Sequence, residues 1–472
     1  MHTRPRLALM VSLLVGALAL TLLLSGCGNP IAAPPPPTAT PVPPTATPSP
    51  ALPTATSGPS ATPTIPPTPT PIPIDATARS VAFPDAQQGG SGGWTVAVDA
   101  RARRVTAYNG GAVRVVDASS GRVTGPLTAT TSSDGPLVAI DNAHQRAAVL
   151  VAREYGATPT LSIVDLARGR LAASRVLRHI PPTDARVVVA DPASGSLLVA
   201  FAGKVAVFDN GRAAQLVRLT ADGAVQRTRA ISDYATLYLD ASHEIVVAVA
   251  GLSGGDGGLA AYDARTLVPL WHALPPYQPQ AVTVDPAHRR LWLLAEGGRV
   301  TIMDTKTGRT VATCDPAYQK PAQWAGNKDL VVDPRTGVGY ASEHAGADYS
   351  TESDWIDRID PATGRRTTLT TAGGAVAAVL DRSGRLLTLD DQNDLVLRDP
   401  VAGRVLAMVA SNATLKGTST GSFSASDASN LIVAQAGAAV TVAFATNIPY
   451  QNSVTGSSDV PGLVLVSFQD RL

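Results

Sequence analysis

The sequence has little cysteine, few aromatic side chains and no surplus charge, and it lacks the common catalytic signatures. Cys27 and Cys314 are the only two cysteines and stand in segments of very different character, so a disulfide framework is excluded. Lys and Arg number 38 against 37 Asp and Glu, which leaves no field to draw in nucleic acid, and no nucleic-acid partner is expected. No G-x-S-x-G, H-E-x-x-H, C-x-x-C or P-loop sequence occurs, closing the usual motif routes to catalysis. Aromatic residues make up 4% and charged residues 16%, while Ala, Val and Leu dominate the body; this suits many short, buried strands and an all-β fold.

What is present is unevenly placed. His2, Arg4 and Arg6 precede an apolar run from Leu7 to Leu24, the basic and hydrophobic regions of an export signal. Eighteen apolar residues could also just span a bilayer as a plain anchor. The run ends in Leu24-Ser25-Gly26-Cys27, which resembles the lipobox of bacterial lipoproteins. That resemblance implies a diacylglycerol on the Cys27 thiol, cleavage after Gly26, and an extracytoplasmic chain anchored to the cell membrane by lipid. Small residues at 25 and 26 fit a peptidase that needs narrow side chains at its cut. Residues 1–26 therefore read as a lipoprotein signal peptide, and the lipid is the only non-protein group expected.

Residues 27–73 read as a Pro/Thr-rich linker. From Pro30 to Pro73 the sequence cycles through P-T-A-T-P and P-T-P-T-P with almost no large apolar side chain, so it cannot bury enough surface to offset the entropy of ordering. Proline fixes φ and removes the amide donor, favouring extended polyproline II. Fully extended, the segment would reach about 140 Å at about 3.1 Å per residue, enough to hold a folded head clear of the membrane.

Residues 74–472 carry a repeat: a β-branched run ending in Asp, a turn, a second run, a variable loop, a third run ending in Asp, a turn and a fourth run. The clearest copy is AVTVDPAHRRLWLLAEGGRVTIMDTKTGRTVAT from Ala281. The first marker stands at Asp99, Asp141, Asp191, Asp240, Asp285, Asp333 and Asp381, and the second at Asp117, Asp165, Asp209, Asp263, Asp304, Asp360 and Asp399. Paired markers at a period of about 40–50 residues predict the blades of a β-propeller. A degenerate eighth unit follows from Gly421 and runs out of chain before its fourth strand, which Arg79–Phe83 can supply from the other end of the domain. The expectation is a monomeric head of eight four-stranded blades, or seven if the last unit is an appendage.

The blade grammar resembles the YVTN and quinoprotein-like propellers, from about Trp94 onward. The resemblance implies the fold and does not imply one activity. Trp271, ending AYDARTLVPLW, is similar to the repeat of quinone-dependent dehydrogenases, but the other blades lack that tryptophan and Cys314 has no neighbouring cysteine, so a quinone enzyme is not supported.

Two functional classes follow. One is a binding or scaffold module for a protein or envelope-glycan partner; the alternative is an extracytoplasmic hydrolase, lyase or quinoprotein-like enzyme with a site at the propeller mouth. The turn aspartates recur where the geometry recurs and read as structural. His144, His243 and His288 follow a first marker in three blades and read as exposed turn residues. The irregular segments Arg153–Pro159, Gly251–Gly258, Asp315–Lys328, Glu343–Trp355 and Thr446–Val460 fall together on the face opposite the Asp turns, where variable loops on a rigid scaffold carry function. Within them Tyr155, Tyr318, Trp324, Tyr349, Trp355 and Tyr450 are candidate partner-binding anchors. Glu343, Asp348, Glu352 and Asp354 are candidate calcium ligands, although their spacing does not match an EF-hand and a solvated acidic loop is the better reading.

Overall fold

The computed structural model describes residues 72–84 and most of 95–471; the signal segment, the linker as far as Pro71 and connections such as 152–157, 202–213, 251–257, 316–328, 346–352 and 418–430 lie outside the described residues. By internal contacts the chain divides after Thr68, and the unit from Pro69 to Leu472 holds all the described structure. Its sheets are eight, each four strands wide except one that gains a fifth.

Blade 5 shows how the repeat folds. Its strands are Pro279–Asp285, Arg290–Ala295, Val300–Asp304 and Thr310–Cys314, hydrogen-bonded in that order. Asp285 pairs with Arg290 and Arg290 with Asp304, so both Asp-marked turns lie on one side of the sheet. Side chains alternate across a strand, and the second strand has a neighbouring blade on each side. Leu291 and Leu293 accordingly pack toward blade 4, whereas Trp292 and Leu294 pack toward blade 6. That is why R-L-W-L-L-A is a continuous apolar run rather than an alternating one. Gly339 of blade 6 leaves room for the Trp292 ring; a Cβ there would run into it.

The core is correspondingly divided. Eight buried clusters occur among the described residues, and each joins one blade to the next, from blades 1 and 2 through to blades 8 and 1. First strands of neighbouring blades touch, placing them around the centre, while the fourth strand of blade 2, Arg170–Val176, is exposed along its whole length. Eight blades, not seven, close the ring.

Closure joins the two ends of the domain. Ala76–Ala82 pairs antiparallel with Gly456–Gln469, from Ala76 opposite Phe468 to Ala82 opposite Gly462, and becomes the outer strand of blade 8. Phe83 then donates its N–H to the Pro461 carbonyl at 2.8 Å. Val81 and Phe83 enter the cluster shared by blades 8 and 1. Ile72–Pro73, given to the linker above, pairs parallel with Val405–Ala410 as the fifth strand of blade 7.

Several boundaries differ from the sequence expectation, each for a local reason. The third strand of blade 3 is Ala214–Leu219, later than the run ending at Asp209, which lies outside the described residues. Its turn is capped by Thr220, whose hydroxyl accepts the Ala224 N–H at 2.8 Å, so no Asp is needed there. In blade 7 the marker position is Leu380, not Asp381: the Gly384 N–H bonds the Leu380 carbonyl as Gly337 does that of Asp333. Thr446–Val460 is largely a ribbon rather than an irregular loop, since Ala439–Asn452 and Gly456–Gln469 pair along their full lengths. Its proline, Pro449, hid the strand pattern but is tolerated where no further strand pairs. A six-residue helix, Asn412–Gly417, precedes blade 8, with the Ser411 hydroxyl accepting the Thr414 N–H.

Candidate functional site

The two faces of the ring differ in chemistry. On the Asp-turn face each marker carboxylate among the described residues accepts from its own turn. Asp117 Oδ1 accepts from the Ser119 hydroxyl at 2.6 Å, the Ser120 N–H at 2.8 Å and the Ser119 N–H at 2.9 Å; these bonds hold its carboxyl far below the usual carboxylate range. At Asp399 the Ala402 and Val401 N–H groups, both at 2.8 Å, likewise lower the carboxyl. Glycine completes the turn at Gly403, where φ is +70° and a Cβ would collide with the Leu369 carbonyl.

The three turn histidines are turn residues as expected, His144 and His243 exposed and His288 half-buried, and each is engaged by the Asp of its own turn. His144 Nδ1 lies 2.8 Å from Asp141 Oδ2, His288 Nδ1 2.8 Å from Asp285 Oδ2, and His243 Nδ1 3.0 Å from Asp240 Oδ1. The partner carboxylates are buried, and Asp240 also accepts from Thr305 of the next blade at 2.7 Å. Arg146 completes the latch between blades 2 and 3, bonding Asp141 at 3.2 Å and the Gly195 carbonyl. D-x-x-H recurs three times in the sequence, and this spacing was the available signal for a turn histidine set on a buried Asp.

The opposite face carries projections. In blade 8 the first strand pairs only with Ala439–Ala443 and the closing strand only with Gly462–Phe468, yet the hairpin between them continues to Asn452 opposite Gly456. At about 3.4 Å per residue this two-stranded ribbon extends about 20 Å past the sheet. Tyr450 belongs to it, opposite Ser458. Blade 6 does the same on a smaller scale: Glu343 pairs with Trp355, His344 with Asp354 and Ala345 with Ser353, beyond the point where the first strand ends its pairing at Ser342. The two ribbons flank blade 7.

Trp355 is half-buried, and its indole N–H donates to Asp357 Oδ2 at 3.3 Å. Asp357 in turn lies 2.5 Å from Arg366 Nε, with both side chains almost fully buried. Burial raises the Asp357 carboxyl and lowers the Arg366 guanidinium to about 10. Arg366 also reaches the Gly298 carbonyl in blade 5, so the pair joins two blades. Glu343 and Asp354 occupy adjacent rungs of the blade 6 ribbon, and adjacent rungs alternate between its two faces. Asp348, Glu352, Tyr155, Tyr318, Trp324 and Tyr349 lie outside the described residues. Among the described residues no group of three or more His, Cys, Asp and Glu is close enough to hold a metal ion. Cys314 is buried, which pushes its thiol up.

No protein-family model matches the sequence, and no curated protein matches it either. Among solved structures, BamB from Moraxella catarrhalis aligns over 82% of this chain and 98% of its own, with 14% identity and a TM-score of 0.44.

Proposed function

We propose that the chain is an extracytoplasmic lipoprotein whose propeller binds a protein or envelope-glycan partner through the face that bears the two ribbons. Cys27 carries the lipid, and residues 27–73 act as the spacer between membrane and head. The ordered sequence of basic start, apolar run, small residues and cysteine supports the anchor.

The observation that carries the binding role is the ribbon of blade 8. A two-stranded hairpin is marginal by itself, since it lacks a third strand or a packed face to stabilise it. Fourteen-residue strands in a blade that needs about half that length are therefore costly unless the extension meets something. The test joins Thr446 to Pro461 through Asn-Gly in the full-length chain and measures partner recovery from intact envelopes by cross-linking. Recovery should fall with the shortened ribbon and persist with His288→Ala on the Asp-turn face. The opposite pattern would show that the partner uses the turn face.

A further inference from the structure

The seam where the ring closes holds a cleft, on the Asp-turn side and away from the ribbons. Blade 1 ends in a fourth strand of only two residues, Val123–Thr124, which pairs with Val115 and Val116 alone. The outer half of the facing blade 8 sheet is therefore opposed mainly by the turn of blade 1, and a cleft of about 350 Å³ remains. That volume falls within the range of small-molecule sites.

The cleft wall is a sheet face of unusual polarity. Thr77, Ser467 and Thr441 form one rung across three adjacent strands, Thr77 opposite Ser467 and Ser467 opposite Thr441. This rung starts directly outside the apolar cluster that seals blades 8 and 1, where Leu465 and Ala443 form the next same-face rung with Arg79. Asp75 lies beyond the hydroxyl rung, and Arg103 enters from the blade 1 turn. Arg79 is steadied by one bond from its Nη1 to the Ser120 carbonyl at 2.8 Å, leaving most of its five donors for other partners. Among the described residues neither Arg79 nor Arg103 has a carboxylate partner within ion-pair distance, and none of the three hydroxyls has a hydrogen-bond partner. Thr441 is buried in this state.

We infer that the cleft binds an acidic sugar unit of the uronic-acid type, its carboxylate on Arg79 and Arg103 and its ring hydroxyls on the Thr77–Ser467–Thr441 rung and Asp75. Two guanidiniums match a carboxylate, and a flat row of hydroxyl groups spaced by one strand matches the edge of a polyhydroxylated ring. A neutral apolar ligand would leave these six polar groups unanswered. A bare phosphate would use the arginines and ignore the rung. Because the closing strand supplies Thr77 and Arg79, and Asp75 stands just before it, the ligand would bridge both ends of the domain and hold the ring shut.

The experiment titrates the full-length chain with glucuronate, galacturonate, glucose and inorganic phosphate, following heat of binding and unfolding temperature. The expected result is saturable binding of a uronate, about tenfold or more tighter than glucose, with a rise in unfolding temperature. Arg103→Asn, which keeps a residue tolerant of the positive φ of 50° at that turn, should weaken uronate about tenfold without shifting the unliganded unfolding temperature. Thr441→Val should weaken uronate and leave phosphate unchanged. Binding of phosphate as tight as that of uronate, insensitive to Thr441→Val, would reduce the cleft to an anion site and overturn the assignment. So would saturable uronate binding that Arg103→Asn leaves intact, or no saturable binding at all.

Discussion

Replacing Phe83 by Ala isolates the closure of the ring in one side chain. Phe83 is 1% exposed and sits in a cluster with Val98, Val105 and Val116 of blade 1 and Leu463 and Leu465 of blade 8. The Arg114 guanidinium, itself buried, lies 5.1 Å from the ring centroid. Removing a buried Phe costs about 3–5 kcal/mol through lost transfer energy and the cavity left behind. Loss of a desolvated cation–π contact adds about 1–2 kcal/mol. The sum is about 4–7 kcal/mol, and Phe83→Leu, which keeps most of the apolar volume, should lose the smaller part. For a cooperative unit of roughly 400 residues the entropy of unfolding is about 0.8 kcal/mol per kelvin, so Phe83→Ala should lower the melting temperature by about 5–8 °C in calorimetry. Ser80→Ala, exposed on the same strand, should change it by less than about 1 °C. Equal effects of Phe83→Ala and Ser80→Ala would mean that the N-terminal strand does not bear on closure.

Three further outcomes follow from the sites described. Arg366→Met strands the buried Asp357 carboxylate and should cost about 3–5 kcal/mol in denaturant unfolding, whereas Arg366→Met with Asp357→Leu should recover most of it; a double variant no better than the single one would contradict the pairing. The carboxyls of Asp117, Asp263, Asp304, Asp333, Asp360 and Asp399 are depressed in the folded state, so their contribution to stability is complete above the unfolded carboxylate range, near pH 4, and is lost as pH falls through the folded values. Melting temperature should therefore decline steeply below about pH 4, and a flat profile down to about pH 2 would refute the turn chemistry. Cys27→Ser should leave an unprocessed chain without acyl label, and normal maturation of that variant would remove the lipid anchor from the proposal.

The architecture was legible because it repeats. An Asp that closes a turn with its own carboxylate must recur wherever the turn recurs, and blade 5 could be read strand by strand from D-P-A-H-R-R and D-T-K-T-G. Misreadings arose where another residue does the same work. Thr220 caps the blade 3 turn with a hydroxyl, so an Asp pattern points to Asp209 instead. Leu380 occupies the blade 7 marker because the turn needs its carbonyl, which any residue supplies. The Asp–His pairs were visible as spacing, but their role depends on burial of the carboxylate between blades, which no local pattern reports.

The cleft at the seam shows why a site can be invisible when the fold is not. Its hydroxyl rung joins Thr77 near the start of the domain to Ser467 near its end, and the neighbour relation exists only in the register between the closing strand and the last strand. A shift of one residue would turn Ala78 and Ala76 toward blade 1 and send Thr77 and Arg79 toward blade 7, because a strand exchanges its faces at every step. Val81 and Phe83 fix that register: both must enter the apolar cluster of blades 8 and 1, which places Arg79 and Thr77 on the same face further down the strand. The polarity of the cleft is thus set by hydrophobic packing a few residues away, and a uronate-binding site there would owe its geometry to the closure of the ring.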